Sequence, residues 1–356
     1  MWPDTNITRL LNITLPLIQA PMAGGATTPE LIAAVSNAGG LGSLGAGYMT
    51  PDDMWTAIRQ IKKLTSKPFA VNLFVTEKHQ ASSAQIDRAK KAVEQSCKEL
   101  NYTLEPIAPP FAQSFDEQMH VVLTEKVPVF SFVFGLPAKS WLVQCKEAGV
   151  TLIGTATTLE EARMLSAFEV DVIVAQGSEA GGHRGTFLGQ AEDALIGLGS
   201  LLPQLVDHIK RPIIAAGGIM DGRGIVAALT LGASGVQMGT AFLTCKESGI
   251  HPNYKDILLA SLQDNTTLTR AFSGKLARGI KNTFIARMQD YLDDILDYPI
   301  QNALTIGMRK EAMKQGSTDF MSMWAGQTAY LCKDLPAAEV MHVLNDEVTK
   351  LLKKQT

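Results

Sequence analysis

Eight short apolar segments alternating with helical segments predict an α/β fold, a (β/α)8 TIM barrel with a smaller, mainly helical inserted domain or lid. Three observations carry that expectation. Each crossover between successive apolar runs is helical, as parallel strands require. Most of the runs end in glycine or small polar residues, the composition of loops that let a ligand approach main chain. Near Ser248 the strand rhythm stops, and helical, charged and loop-rich sequence takes over. A doubly wound open sheet is the alternative arrangement of the same elements.

The first strand is Leu17 to Met22, ending at Gly24-Gly25. Thr28 is the N-cap of the next helix, Pro29 lies in its first turn, Leu31, Ala34, Val35 and Ala38 mark one face, and Gly39 stops it. A formal GxGxxG follows at Gly40, Gly42 and Gly45. A dinucleotide fingerprint follows a strand and opens a helix; this one follows a helix and contains a short strand at Leu41 to Leu44. A helix from Pro51 carries Met54, Ile58, Ile61 and Leu64, and Pro68 to Val75 is the third strand. After a polar excursion over 77–125 come the fourth strand, Pro128 to Phe134, and the fifth, Thr151 to Thr155. Thr158 with Glu161 reads as a capping box. Asp171 to Gln176, Pro212 to Ala216 and Gly235 to Gly239 are strands six to eight, with Asp221 capping the helix after the seventh. The expected division is a barrel over 1–247, a smaller helical or lid domain over 248–317, and a C-terminal segment, 318–356, that packs back on the barrel.

A chain of 356 residues can bury a large core, and its 46% hydrophobic and 19% charged content is ordinary for a globular protein. A net charge of -3 offers no basic field for nucleic acid or anionic membrane. No stretch approaches the ~18 uncharged apolar residues that span a bilayer. Cys97, Cys145, Cys245 and Cys332 are scattered without metal-binding spacing and read as reduced thiols, so a cytoplasmic location without a secretory signal is expected.

Chemistry is expected at the C-terminal ends of the strands. Asp171 to Phe187 passes from a buried strand into glycines, Gly177, Gly181, Gly182 and Gly185, around one imidazole, His183. That imidazole is the group there able to move a proton near neutral pH. The turns Gly217-Gly218 and Gln237-Met238-Gly239-Thr240 follow strands seven and eight, where backbone N–H groups can cradle a phosphate. Asn72 and Gln176 add amides that suit the edge of a flavin ring, and Met22 can pack on an aromatic ring. No metal constellation is visible.

The segments QAPMAGG, NAGGLGSLGAGY, PFAVNLF, FSFVFGLP, IVAQGSEAGGHRGTF, IIAAGGIMDGRGI, GVQMGTAFL, FSGKLARG, DYPIQNALT and MWAGQ closely resemble the nitronate monooxygenase family, formerly 2-nitropropane dioxygenases, over nearly the whole chain. The resemblance implies noncovalent FMN held by Asn72, Gln176, Gly181, Gly218 and Gln237 to Thr240, with His183 catalytic. It also implies oxidation of alkyl nitronates, propionate 3-nitronate among them, by dioxygen to a carbonyl compound plus nitrite through a flavin semiquinone. Some members carry a histidine where Val133 stands, so a second imidazole is not expected here. An NAD(P)H-dependent FMN reductase of quinones or enoyl thioesters is the competing enzyme.

Overall fold

The computed structural model describes residues 2–77 and 79–354; Met1, Lys78 and the last two residues, with the outer ends of the expected domain ranges, lie outside them. The strands in chain order are β1 (Leu17–Gln19), β2 (Gly42–Gly45), β3 (Phe69–Phe74), β4 (Val129–Val133), β5 (Thr151–Ala156), β6 (Val172–Gln176), the two-residue β7 (Gly182–His183), β8 (Ile213–Ala216), β9 (Gly235–Met238), β10 (Thr266–Thr269) and β11 (Ala277–Ile280). All but β7, β10 and β11 form one parallel sheet in the order β1-β9-β8-β6-β5-β4-β3-β2. A bridge between Ile18 and Leu41 joins its two ends, so the sheet wraps into the expected barrel.

Period-two alternation sorts the strand residues into two layers. Ile18, Ala70, Val129, Ile153, Val172, Val174, Ile214 and Ala216 fill the interior, and Ile7 and Leu11 of the helix Asn6–Leu11 join the same cluster. Outward residues such as Val71, Phe130, Phe132, Leu152, Ile173 and Val236 pack against the surrounding helices.

The GxGxxG glycines are packing devices in and beside β2. A Cβ on Gly42 would lie 2.3 Å from the Ile32 carbonyl oxygen, and one on Gly45 would lie 2.5 Å from the Ala23 nitrogen. The strand therefore meets the helix Pro29–Asn37 at Gly42, and the Met22-Ala23 backbone at Gly45, with no room for side chains.

Residues 248–317 hold the helices Pro252–Leu259, Thr283–Arg287 and Ile300–Gln315, together with β10 and β11, which the sequence reading leaves out. These two strands pair antiparallel, and β11 also pairs with β7, setting Ala277 opposite His183. The helix Ser83–Glu99, from the polar excursion, shares a second hydrophobic cluster with Phe272, Phe284, Met288, Leu304 and Met323. Thr158 Oγ1 accepts from the Glu161 N–H as half of a capping box, but the Glu161 carboxylate turns away from the cap to the neighbouring loops.

Gly42→Ala is expected to destabilise the fold by about 1–3 kcal/mol, because the new methyl meets immobile backbone. Gly199→Ala, in the first turn of a helix with nothing within 4 Å of the new Cβ, is expected to be neutral or stabilising by up to ~1 kcal/mol. Paired urea unfolding curves check this, and equal midpoints for the two variants would refute the packing assignment.

Candidate active site

At the C-terminal end of the barrel the interior changes from apolar to polar. Asn72 lies on the face of Ala70, two residues before it, and pairs in register with Ser131; its Nδ2 donates to Ser131 Oγ at 2.9 Å. Gln176 is in register with Ala216, and Ala216 with Gln237, which in turn is opposite Ile18. Asn72, Ser131, Gln176 and Gln237 therefore share one inner layer, while the buried Met238 side chain points into the helical layer and can reach the mouth only through its backbone.

The loop after β6 is fixed by two buried charged side chains that the sequence reading does not assign to the site. Glu161 accepts from the Thr157 N–H (2.6 Å), the Thr157 hydroxyl (2.7 Å), the Phe187 N–H (2.6 Å) and the Leu188 N–H (3.0 Å). Arg184, fully buried, donates to the carbonyls of Gly177 (2.6 Å), Gln176 (3.1 Å) and Ala194 (3.2 Å). Burial lowers its pKa to about 10, with Glu161 and Glu179 opposing, so it stays charged at neutral pH. Gln176 braces the same loop, its Nε2 donating to His183 O (3.0 Å) and its Oε1 accepting from the Gly185 N–H (2.8 Å). Gly182, at φ +76°, makes the turn that L side chains resist. A Cβ on Gly185 would lie 3.1 Å from Val133, placing that side chain against the loop.

The His183 ring is thereby held among Trp324 (centroids 5.2 Å apart), Phe134 (5.8 Å) and Tyr298 (6.4 Å). Phe134 adopts φ +76°, a conformation unusual for a non-glycine residue and common where a site demands it. Nε2 of His183 lies 2.8 Å from Ser273 Oγ. Where that hydroxyl donates to Lys275 O, 3.2 Å away, Nε2 carries the proton and Nδ1 the lone pair. The Lys275 ammonium lies 4.7 Å over the Phe134 ring and donates to Thr186 O at 3.1 Å. Burial first, then the Lys275 and Arg309 charges, push the imidazole pKa down to about 3. The expectation of a group titrating near neutral pH is thus corrected: without an anion beside it, this imidazole is neutral and a weak base. Among the described residues neither Lys275 nor Arg309 forms a direct ion pair with a carboxylate, although Glu77 and Glu161 act on Lys275 from farther off. Tyr48, Phe134, Ser273, Lys275, Tyr298, Arg309 and Trp324 are the groups here that sequence reasoning missed.

Beside the loop after β6, on the neighbouring strands β8 and β9, lie the expected phosphate turns. Gly217 (φ +122°) and Gly218 (φ +67°) take conformations that favour glycine, and a Cβ on Gly218 would lie 3.2 Å from Glu179 Cβ. The short helix Thr240–Leu243 starts at Gly239 without a side-chain cap, and Met22 Sδ lies 3.6 Å from where a Cβ on Gly239 would be. The returning segment crosses these turns: Gly326 N–H donates to Thr240 Oγ1 (3.0 Å), Thr328 Oγ1 to Gly218 O (2.7 Å), and a Cβ on Gly181 would meet Ala325 backbone at 2.5 Å. Side-chain-free turns with backbone donors, facing a ring of amides, fit a phosphate-bearing cofactor with a polar planar ring. Among the described residues no group of three or more His, Cys, Asp or Glu could hold a metal ion, and no helix is long and apolar enough to cross a membrane.

This arrangement can be set beside known proteins. A probable nitronate monooxygenase of Staphylococcus haemolyticus is 45% identical over 99% of both chains. The solved structure of a nitroalkane oxidase from Streptomyces ansochromogenes superposes with a TM-score of 0.92 at 39% identity, covering 98% of this chain and 99% of that one. FabK from Thermotoga maritima gives 0.79 at 31% identity, over 99% of this chain and 98% of its own. The family model described as nitronate monooxygenase matches residues 5–347. The chain belongs to the nitronate monooxygenase family.

Proposed function

We propose that this protein is an FMN-dependent monooxygenase that takes preformed alkyl nitronates, propionate 3-nitronate among them, and with dioxygen yields a carbonyl compound and nitrite. The observation that carries this reading is electrostatic: a neutral imidazole lies in the field of two buried cations, Arg309, on which two phenols act, and Lys275, which Glu77 and Glu161 oppose without a direct ion pair. Such a pocket favours an anion, and a nitronate is the anion of this family's chemistry. The bound FMN would supply an electron acceptor that reacts with dioxygen, held by the turns at Gly217-Gly218 and Gly239-Thr240 and by the amides of Asn72, Gln176 and Gln237.

The chain's own residues would do the rest. Lys275 and His183 orient the nitronate, and the Phe134, Tyr298 and Trp324 rings keep water from it. An anion seated there offsets the two positive charges and lets the imidazole pKa rise, so Nδ1 gains basicity once the site is filled. The second reading, an NAD(P)H-dependent FMN reductase of quinones or enoyl thioesters, draws some support from the likeness to FabK. Anaerobic mixing with NADH separates the two, since rapid flavin bleaching favours the reductase.

The purified protein is expected to be yellow and to release FMN rather than FAD on heating. Gly218→Leu, which forces a side chain into the φ +67° turn, should lower flavin retention at least ~10-fold in a folded protein. Flavin-to-protein absorbance ratios decide this; a colourless protein that cannot be reconstituted with FMN would exclude the cofactor.

His183→Asn is expected to lower turnover of any neutral nitroalkane the wild type uses, by less than the roughly 10²–10⁴-fold of a base tuned near neutral pH, because this imidazole is a weak base until an anion sits beside it. Nitronate oxidation should fall less, mainly through KM. Equal losses on both substrates with release of flavin would reduce His183 to a loop-ordering residue.

With nitronates, kcat/KM should be flat from about pH 6 to about pH 8, because His183 stays neutral. It should fall on the alkaline side with an apparent pKa below 10.5, the ordinary lysine value from which burial lowers Lys275. Lys275→Met should remove that alkaline limb; a limb unchanged in the variant would assign it to another group.

A further inference from the structure

The returning segment 323–328 ties together loops that lie far apart in the chain. At one end the Ile280 N–H donates to Met323 O (2.8 Å), Gly279 and Trp324 form an antiparallel bridge, and the Trp324 ring stands beside His183. At the other end the Gln327 N–H donates to Glu179 O (3.0 Å) and Thr328 Oγ1 to Gly218 O (2.7 Å). Between them Gly326 lies so close to the loop after β6 that a Cβ there would come within 2.9 Å of Glu179 O and 3.3 Å of Gly181 N. Gln327 Nε2 also donates to Asp264 Oδ2 (3.2 Å), and Asp264 Oδ1 accepts from the N–H and the hydroxyl of Thr266 at the start of β10. The segment is thus anchored in the insert and laid across the barrel turns.

Two of these contacts decide where donors on the turns can point. The Gly218-Ile219 peptide is planar, with its C=O and N–H on opposite sides. Because Thr328 holds the carbonyl, the Ile219 N–H points away from the segment. Ile219 is 5% exposed, and that N–H has no acceptor among the described residues. On the next turn the Gly326 N–H donates to Thr240 Oγ1 (3.0 Å) and fills one of its lone-pair directions. The hydroxyl proton must take another direction, and it too has no acceptor among the described residues although Thr240 is only 8% exposed. Accepting a hydrogen bond also makes an O–H a stronger donor. Two unspent buried donors on adjacent turns call for an acceptor from outside the chain.

We propose that Thr328 and Gly326 are positioning residues for the phosphate end of the cofactor, acting through the turns by aiming the Ile219 N–H and the Thr240 hydroxyl at it. The proposal rests on the FMN reading, and it gives the C-terminal segment a part in the site that the barrel turns alone do not supply.

Riboflavin has the ring system of FMN and lacks the phosphate, so the two flavins separate the phosphate end of the site from the ring end. Dissociation constants are read by flavin fluorescence on the full chain freed of flavin, and the rate of FMN loss from the loaded protein on dilution is a second readout. Wild type should bind FMN at least ~10²-fold more tightly than riboflavin. Thr328→Val, which keeps the shape and removes the hydroxyl, should weaken FMN about tenfold, speed its loss by a similar factor, and leave riboflavin within about twofold. Thr328→Ser should restore FMN to within about threefold of wild type. Gly326→Ala, whose methyl lifts the segment from Glu179 O, should affect the two flavins in the same unequal way, and it carries the test if Thr328→Val does not fold.

Equal weakening of both flavins would make the segment a structural brace only, and unchanged FMN affinity in both variants would leave the turns independent of it. Either result overturns the proposal while the FMN reading stands. A wild type that binds riboflavin as tightly as FMN would remove the phosphate from the turns, and the proposal with it.

Discussion

The site depends on a buried guanidinium. Arg184 gathers the carbonyls of Gln176, Gly177 and Ala194, closing the loop after β6 onto the end of its own strand. A charge there costs several kcal/mol to desolvate unless its donors are answered; these three oxygens answer Nη1 and Nη2 while Nε has no hydrogen-bond partner, so the loop depends on presenting all three. Glu161 acts from the other flank, where one carboxylate answers three backbone N–H groups and a hydroxyl of two different loops. Opposite charges on either side of a glycine-rich segment convert a flexible composition into a fixed one. His183, next to Arg184 in the chain, inherits its position from this frame.

The frame also explains why a hairpin from the inserted segment reaches the barrel. Gly182 and His183 present backbone groups to one side, and β11 pairs with them. That pairing brings Ser273 and Lys275, in the turn before β11, beside the imidazole. The barrel supplies the ring of amides and the insert supplies the cations, and neither part makes the pocket alone. The helix Ser83–Glu99 stabilises the insert from behind through the shared apolar cluster.

Much of this was legible in the sequence, and the limits are physical. The barrel strands show as apolar runs because both of their faces are buried, and the glycine turns show because few other residues tolerate their backbone angles. His183 stands out among small residues. Lys275, Tyr298 and Arg309 do not, since a lysine, a tyrosine and an arginine in mixed helical or turn sequence look like any solvated face, and it is the fold that brings the Tyr298 ring to 6.4 Å from His183 and the two charges close enough to act on it. The hairpin is obscured for a related reason: TTLT and ARGI lack the apolar alternation of a half-buried strand, and one partner is only two residues long. At Thr158 and Glu161 the local capping pattern was read correctly for the backbone N–H and incorrectly for the carboxylate, because two loop N–H groups distant in sequence compete for it.

The direction of the imidazole shift bears on how such a site works. A free base poised near neutral pH would be partly protonated before substrate arrives. Here burial and two cations keep His183 neutral down to about pH 3. Because the two cations contribute to that shift, the arrival of negative charge weakens it, and the same imidazole becomes more basic in the complex than in the empty site. Binding and basicity are therefore coupled through the field of Lys275 and Arg309. An anion creates that change, whereas a neutral molecule of the same shape leaves the two charges uncompensated and the imidazole a weak base. On the proposed reading, selection of an ionised substrate then follows from charge as well as from shape, and it acts before any chemistry begins.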